Sequence, residues 1–438
     1  MATISSYAQQ LSILNIMNSK YAAAAKSLNQ VATGNKINSP KDDASGYAIG
    51  KRMSVEIGSL EQTLSNVQTG NSMLNVANGA MSSTLDILQT LKEKAIAAAN
   101  DTAKDSDRAA IQQELNQYID QINDNALVTY NGKYLLNGTN STATEATNQA
   151  YTNRSLGLDT TGATKLTDLT RRQGDNLNID ATDTVNISFV KDGKTYSTSF
   201  AAGEATLADI FNKANEAGAG TVFDTSSMDT ATSLIGQDTT GKELHTVDEK
   251  NAITVKTAES GKAGSIAGFT ISITDSSGNE KKSVDSVLDD FTESIVGADK
   301  REDNSLVLHT GTHASQNMHV GLGDMSARAL GLQGSDGSYL SVSTQEHANA
   351  AINVIDNAIE RLLSQQTTVG AMQSRLSYTQ SNITTQQENV TSAMTTIIGA
   401  DMAKAITEYT SNNIQMQAAQ AMLAQANSNS GWFLNLLR

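Results

Sequence analysis

Ala348, Ile355, Leu362, Val369, Leu376, Ile383, Val390 and Ile397 stand seven residues apart, eight successive apolar positions of one heptad register. A seven-residue repeat keeps one face of a helix against a partner, so this stretch must be one long helix and cannot bury its seam alone. At about 1.5 Å per residue it forms a rod of roughly 80 Å. The companion positions begin as Ile352 and Ile359 and then become Gln366, Gln373, Gln380 and Gln387, a polar half-seam that specifies register at a cost in stability.

The other end of the chain supplies matching repeats. Leu60, Val67, Leu74, Met81, Leu88 and Ala95 share one register, and a shorter helix follows with Ile111, Leu115, Ile119 and Ile122 on one face. Upstream, Tyr7, Leu14, Tyr21 and Leu28 carry the same spacing, with Leu11, Asn18, Ala25 and Ala32 four residues after each. ATGNKINSPKDDASG separates the two runs; Ser39 is expected to cap a helix whose first turn holds Pro40, Asp42 and Asp43. A final helix carries Met402, Tyr409, Met416 and Leu423 beside Ala405, Ala419 and Ala426, then runs into SGWFLNLLR. That tail holds Trp432, the chain's one tryptophan, with Phe433, Leu434, Leu436 and Leu437. Exposed apolar ends are an aggregation hazard unless assembly is their use, so these side chains predict burial against other subunits.

Between about residues 139 and 301 the period changes from seven to two. Val185, Ile187 and Phe189 alternate with polar residues, KDGK supplies an Asp-Gly turn, and Tyr196, Thr198 and Phe200 alternate again, which predicts a β-hairpin. ATLADIFNKANEAG reads as a short helix and GFTISITDSSG as a further strand. This segment holds 24 acidic and 15 basic residues, nine of the chain's fifteen net negative charges. The fold class is therefore mainly α with a central α+β insert: paired N- and C-terminal coiled-coil helices forming a rod, and an outer domain of strands and short helices.

A net charge of −15 argues against nucleic acid and anionic membrane surfaces as partners. No window reaches the roughly 20 apolar residues of a membrane-spanning helix. The chain contains no cysteine, which removes disulfides, thiolate zinc ligands and a thiol nucleophile; a thiol-free chain also suits export to an oxidising exterior. The opening MATISSYAQQLSILNIMN lacks the basic leader and apolar core of a signal peptide and on its own predicts a cytoplasmic protein. No catalytic motif stands in a suitable context, and no cofactor fingerprint is present. The weak metal candidates are His309, His313 and His319 in LHTGTHASQNMHVG; exposed strand and turn histidines are the simpler reading.

The chain resembles the bacterial flagellins. The residues that carry the resemblance are VATGNKINSPKDDASGYAIGKRM, NVQTGNSMLNVANGAM and VTYNGKYLLNG in the first third, and VGLGDMSARALGL and AQAMLAQANSNSGWFLNLLR in the last. The resemblance implies a subunit that self-assembles into the flagellar filament, with residues 1–44 and 398–438 as inner filament-core helices, 45–165 with 302–397 as a helical rod domain and 166–301 as an outer variable domain. It implies a polymer interface through Leu11, Leu14, Tyr21, Leu28, Tyr409, Met416, Leu423, Trp432, Phe433, Leu434, Leu436 and Leu437. It further implies type III export, which replaces the cytoplasmic expectation with a secreted, extracellular one; a secretion chaperone on about 400–438; and filament cap and hook-junction partners. A Toll-like receptor 5 face would comprise Gln89, Thr90, Glu93, Lys94 and Glu114. Thr90 and Lys94 stand where the recognised type has arginine and leucine, which predicts weakened recognition. A hook–filament junction protein shares the paired helices but not usually the AQAN…LLR ending, and a flagellin scaffold with a metal-binding insert is the remaining alternative.

Overall fold

The structure is a computed structural model that describes residues 2–218 and 220–436, with the side chains of 8–218 and 220–428. Its elements run α1 (Ala2–Thr33), α2 (Ala44–Ala99), α3 (Asp105–Ala126), β1 (Thr129–Tyr130), β2 (Lys133–Tyr134), β3 (Asn148–Asn153), β4 (Thr184–Lys191), β5 (Lys194–Ala201), α4 (Leu207–Glu216), β6 (Phe223–Asp224), β7 (Leu234–Gln237), β8 (Glu243–His245), β9 (Ile253–Ser260), β10 (Gly268–Thr274), α5 (Lys282–Leu288), β11 (Phe291–Ile295), β12 (Leu306–His309), β13 (Asn317–Val320), α6 (Gln345–Ile398) and α7 (Met402–Leu436). By packing they fall into two units, residues 1–68, 309–316 and 378–438, and residues 69–308 and 317–377.

In the first unit α1 lies antiparallel to α7. Their loop ends are joined by an isolated bridge between Asn35 and Gly399, in which Lys36 N donates to Ile398 O at 2.7 Å and Ala400 N to Gly34 O at 2.9 Å. The helix start after α1 differs from the expected one. Ser39 does not cap α2; Asp43 does, its Oδ1 accepting the amides of Ser45 and Gly46 at 3.0 Å. Asp42 instead closes a preceding turn by accepting from Ser39 N and Oγ. A carboxylate can satisfy two first-turn amides at once, and Asp43 is nearer to the first helical residue than Ser39 is. Further along α2, Leu60, Thr63 and Val67 are buried, and Gln387 Nε2 from α6 donates to Glu61 Oε1 at 3.2 Å.

In the second unit the expected seam forms as spaced. Leu74, Met81, Leu88 and Ala95 of α2 and Ala348, Ile355, Leu362, Val369 and Leu376 of α6 are all fully buried. The polar half-seam pairs across them: Gln373 Nε2 donates to Asn75 Oδ1 at 2.8 Å and Gln366 Nε2 to Ser82 Oγ at 3.3 Å. The α2 C-terminus is closed by buried Arg108, which donates to Ala98 O at 2.9 Å and Asn100 O at 3.1 Å and so satisfies carbonyls the helix leaves unpaired.

The insert has two main sheets, β10-β4-β5 and β11-β3-β9-β6, with antiparallel pairing in both. The hairpin β4–β5 forms as its alternation predicts, turning at Asp192 and Gly193, whose φ angles of 52° and 75° suit an Asp-Gly turn. The short helix is α4, opened by a reciprocal cap between Thr206 and Asp209. Five of the chain's seven phenylalanines, Phe189, Phe211, Phe223, Phe269 and Phe291, share the insert core with ring centroids 5.1 to 6.4 Å apart. Concentrating the few large aromatic rings in one place lets an otherwise polar segment make a core.

The insert is seated on α6 through buried polar groups. Arg361 makes a two-point contact with Glu293, Nη2 to Oε1 at 2.6 Å and Nε to Oε2 at 3.0 Å. Gln149 Nε2 donates to the same carboxylate at 2.6 Å. Such a pair is costly to bury but far costlier to halve. Gly268 allows the approach, because a Cβ there would meet Val354 N at 2.9 Å.

Candidate assembly surface

In the helix pair α1–α7 the positions that bury most deeply carry small side chains. Along α1 the least exposed positions are Gln10, Ile13, Met17, Lys20, Ala24, Ser27 and Val31, spaced alternately by three and four. Only Ala24 and Ser27 among them are fully buried. Along α7 the matching positions are Ala405, Tyr409, Asn412, Met416, Ala419, Leu423 and Ala426, of which Ala405 and Ala419 are fully buried. Small residues allow close helix approach, and Gln10 Nε2 reaches Ala426 O at 3.4 Å across the pair.

The α1 seam read from the sequence is therefore not the one that faces α7. Leu11, Leu14, Tyr21 and Leu28 stand outward, 49%, 38%, 67% and 50% exposed, with Ile16 beside them at 50%. Two stripes share this helix at neighbouring phases, and the one that contains Ala24 and Ser27 takes the in-chain partner. On α7 the heptad residues Tyr409, Met416 and Leu423, expected at the polymer interface, lie half-buried on the face turned to α1. Among the described side chains, the outward large apolar residues of α7 are Met402, Ile406, Ile414 and Met422. Apart from Met402 these were not singled out by the heptads, because they lie off the seven-residue phase; their size on an otherwise polar face is the signal that finds them. Trp432, Phe433, Leu434 and Leu436 fall within the span of α7, but their side chains lie outside the described ones, and Leu437 lies outside the described residues.

Of the residues expected to form a receptor face, Lys94 of α2 and Glu114 of α3 come together. Lys94 Nζ is 2.8 Å from Glu114 Oε2, and Tyr118 OH donates to Glu114 Oε1 at 3.3 Å. The hydrogen bond from Lys94 holds the Glu114 carboxyl below its ordinary value, and the same bond raises Lys94. Thr90 Oγ1 is turned back onto Asp86 O at 3.0 Å, while Gln89 and Glu93 are exposed.

His319 Nδ1 lies 2.9 Å from Ser305 Oγ and 3.5 Å from Asp303 Oδ2. Among the described residues no group of three or more His, Cys, Asp or Glu is placed to hold a metal ion. Nor is any described helix long and apolar enough to cross a membrane.

Family comparison agrees with the helical ends. The family described as bacterial flagellin N-terminal helical region matches residues 4–141, and that described as bacterial flagellin C-terminal helical region matches 352–437. A flagellin of Clostridium tyrobutyricum is 32% identical over 94% of this chain and 96% of its own length. A flagellin of Bacillus subtilis (strain 168) is 25% identical over 98% and 97%. Among solved structures, FliC from Burkholderia pseudomallei is 20% identical, covering 70% of this chain and 99% of its own, with a TM-score of 0.27.

Proposed function

Because this chain belongs to the bacterial flagellin family and is a subunit of the flagellar filament, we propose that its polymer contacts are the outward stripes of α1 and α7. The observation that carries this reading is the contrast in burial: α2 and α6 hide their large apolar seam residues, whereas Leu11, Leu14, Ile16, Tyr21 and Leu28 on α1 and Ile406, Ile414 and Met422 on α7 remain in water. Covering a half-exposed leucine or isoleucine is worth on the order of 1 kcal/mol. Eight such residues repeated on every subunit supply a driving force that a single chain cannot use.

In this reading residues 1–44 and 398–438 are the inner filament core, 45–165 with 302–397 the rod around it, and 166–301 the outward domain. Tyr409, Met416 and Leu423 hold α7 to α1, and Trp432, Phe433, Leu434, Leu436 and Leu437 complete the contact with neighbouring subunits. The subunit leaves the cell by type III export, accompanied to the export gate by a chaperone on 400–438, and is added between hook-junction and cap proteins. The reading assigns no catalytic step. Toll-like receptor 5 meets a face in which Glu114 is already engaged by Lys94 within the chain, which supports weakened recognition.

The test is deletion of 430–438 from the full chain, followed by seeded polymerisation and electron microscopy. The expected product is a soluble monomer with a normal thermal transition that forms no filaments. Filaments of normal yield would overturn the proposal.

A further inference from the structure

The seat of the insert on α6 contains a carboxylate, Asp289, that has no ion-pair partner among the described residues. Strand β10 is the outer strand of its sheet, and its free edge is closed by side chains rather than by another strand. Ile271 N donates to Asp289 Oδ1 at 3.0 Å and Ile273 N donates to Asp285 Oδ1 at 2.7 Å, both acceptors coming from α5 and the residue that ends it. From α6, Asn353 Nδ2 reaches Thr270 Oγ1 at 2.9 Å, Phe269 O at 3.3 Å and Asp289 Oδ2 at 3.4 Å. Asp289 is thus wedged among β10, α5 and α6, and the groups facing it are one backbone amide, one neutral carboxamide, and the negative Asp285 and Asp290. Glu280 adds a further negative charge beside Asp285.

We propose that this joint is an acid-tightened latch: Asp289 takes up a proton as the medium becomes mildly acidic, and the protonated form holds β10 and the insert more firmly on α6. Burial of the group, more than any neighbour, raises the Asp289 carboxyl from 3.8 to about 6, and burial raises Asp285 in the same direction. A carboxyl that binds its proton more tightly folded than unfolded adds stability as pH falls from about 6 toward 3.8, and withdraws it as pH rises through 6. The amide bonds survive the change, because Oδ1 of a neutral carboxyl still accepts from Ile271 N. The carboxylates whose values are lowered, Asp42 and Asp336 among them, act at more acid pH and do not change charge between 7.5 and 5. This inference does not rest on the filament reading.

The experiment is amide exchange on the full chain across that window, corrected for intrinsic rates, reading the β10 amides of Ile271 and Ile273 against seam amides of α2 as the internal control. Opening of β10 should fall about tenfold from pH 7.5 to pH 5 while the control does not move. In Asp289→Asn, whose carboxamide cannot ionise, the dependence should vanish with β10 held at its low-pH protection. Flat protection in the wild-type chain, or an undiminished pH response in the variant, would overturn the proposal. Should Asp289→Asn not fold, the carboxyl-carbon resonance of Asp289 in the wild-type chain decides: a midpoint near 6 supports the latch and one near 4 removes it.

Discussion

The pairs α1–α7 and α2–α6 are both antiparallel and both patterned in sevens, yet they place opposite kinds of residue in the seam. Between α2 and α6 the seam is Leu74, Met81, Leu88, Leu362, Val369 and Leu376, all fully buried. Between α1 and α7 the fully buried positions are Ala24, Ser27, Ala405 and Ala419, and leucines and isoleucines face out. A heptad therefore announces a partner without saying whether the partner lies in the same chain. The size of the residues in the seam separates a pair that is finished in the monomer from one that is finished by assembly.

Truncating the finished seam is the strongest way to break that contrast. Leu74→Ala removes a fully buried side chain and should lower monomer stability by about 3 kcal/mol, read by urea unfolding. A loss below about 1 kcal/mol would mean that this seam too is slack in the monomer. Next in size is the outward stripe. Leu14→Ser with Leu28→Ser should change monomer stability by less than about 0.5 kcal/mol but raise the critical concentration for polymerisation on the order of tenfold or more. If the pair destabilised the monomer and left polymerisation alone, the stripe would belong to the fold.

The α2–α3 surface tests the comparison from the side of the finished pair, where an exposed face carries charge rather than grease. Lys94→Leu with Thr90→Arg frees Glu114 from its internal partner and adds an apolar anchor and a guanidinium, so reporter-cell signalling through Toll-like receptor 5 should rise roughly tenfold. Unchanged signalling would remove Lys94 and Thr90 from the account of weakened recognition.

How far the sequence carried this picture depends on how local each signal is. The α2 and α6 seams were legible because one register is apolar at six successive positions in α2 and at eight in α6. In α1 two stripes compete, and reading Tyr7, Leu14, Tyr21 and Leu28 as the in-chain seam favours bulk where close approach favours Ala24 and Ser27. Hairpin β4–β5, helix α4 and strand β10 carry their own turn and periodicity signals. The pairing of β3 with β9 and β11 does not: Tyr151 meets Val255 and Glu293, partners about a hundred or more residues away, and no local pattern names them. The same holds for Arg361 and Glu293, two charges that look like ordinary surface residues until the sheet is laid on α6. The residues proposed for assembly were read as apolar excess, and the tail as a concentration of it.

The smallest expected effect lies at the joint that precedes α2, in the unit with the open pair. Asp42 Oδ2 accepts from Ser39 Oγ at 2.8 Å, Ser39 N at 3.1 Å and Asn38 N at 3.3 Å, and Lys26 Nζ stands 3.3 Å from Oδ1. The hydroxyl of Ser39 contributes most to holding this carboxyl down, at about 2 instead of 3.8. A depressed value has the opposite sign to Asp289: the contribution is complete above the ordinary carboxylate value and is lost as pH falls through 2. Acidification from pH 4 to pH 2 should therefore lower the protection of the Ser39 amide relative to its intrinsic exchange rate, and Asp42→Asn should show low protection of that amide already at pH 4. Protection that persists to pH 2 in the wild-type chain would mean that the turn is held by the Asn35–Gly399 bridge alone, and that the joint of the open pair owes nothing to its charges.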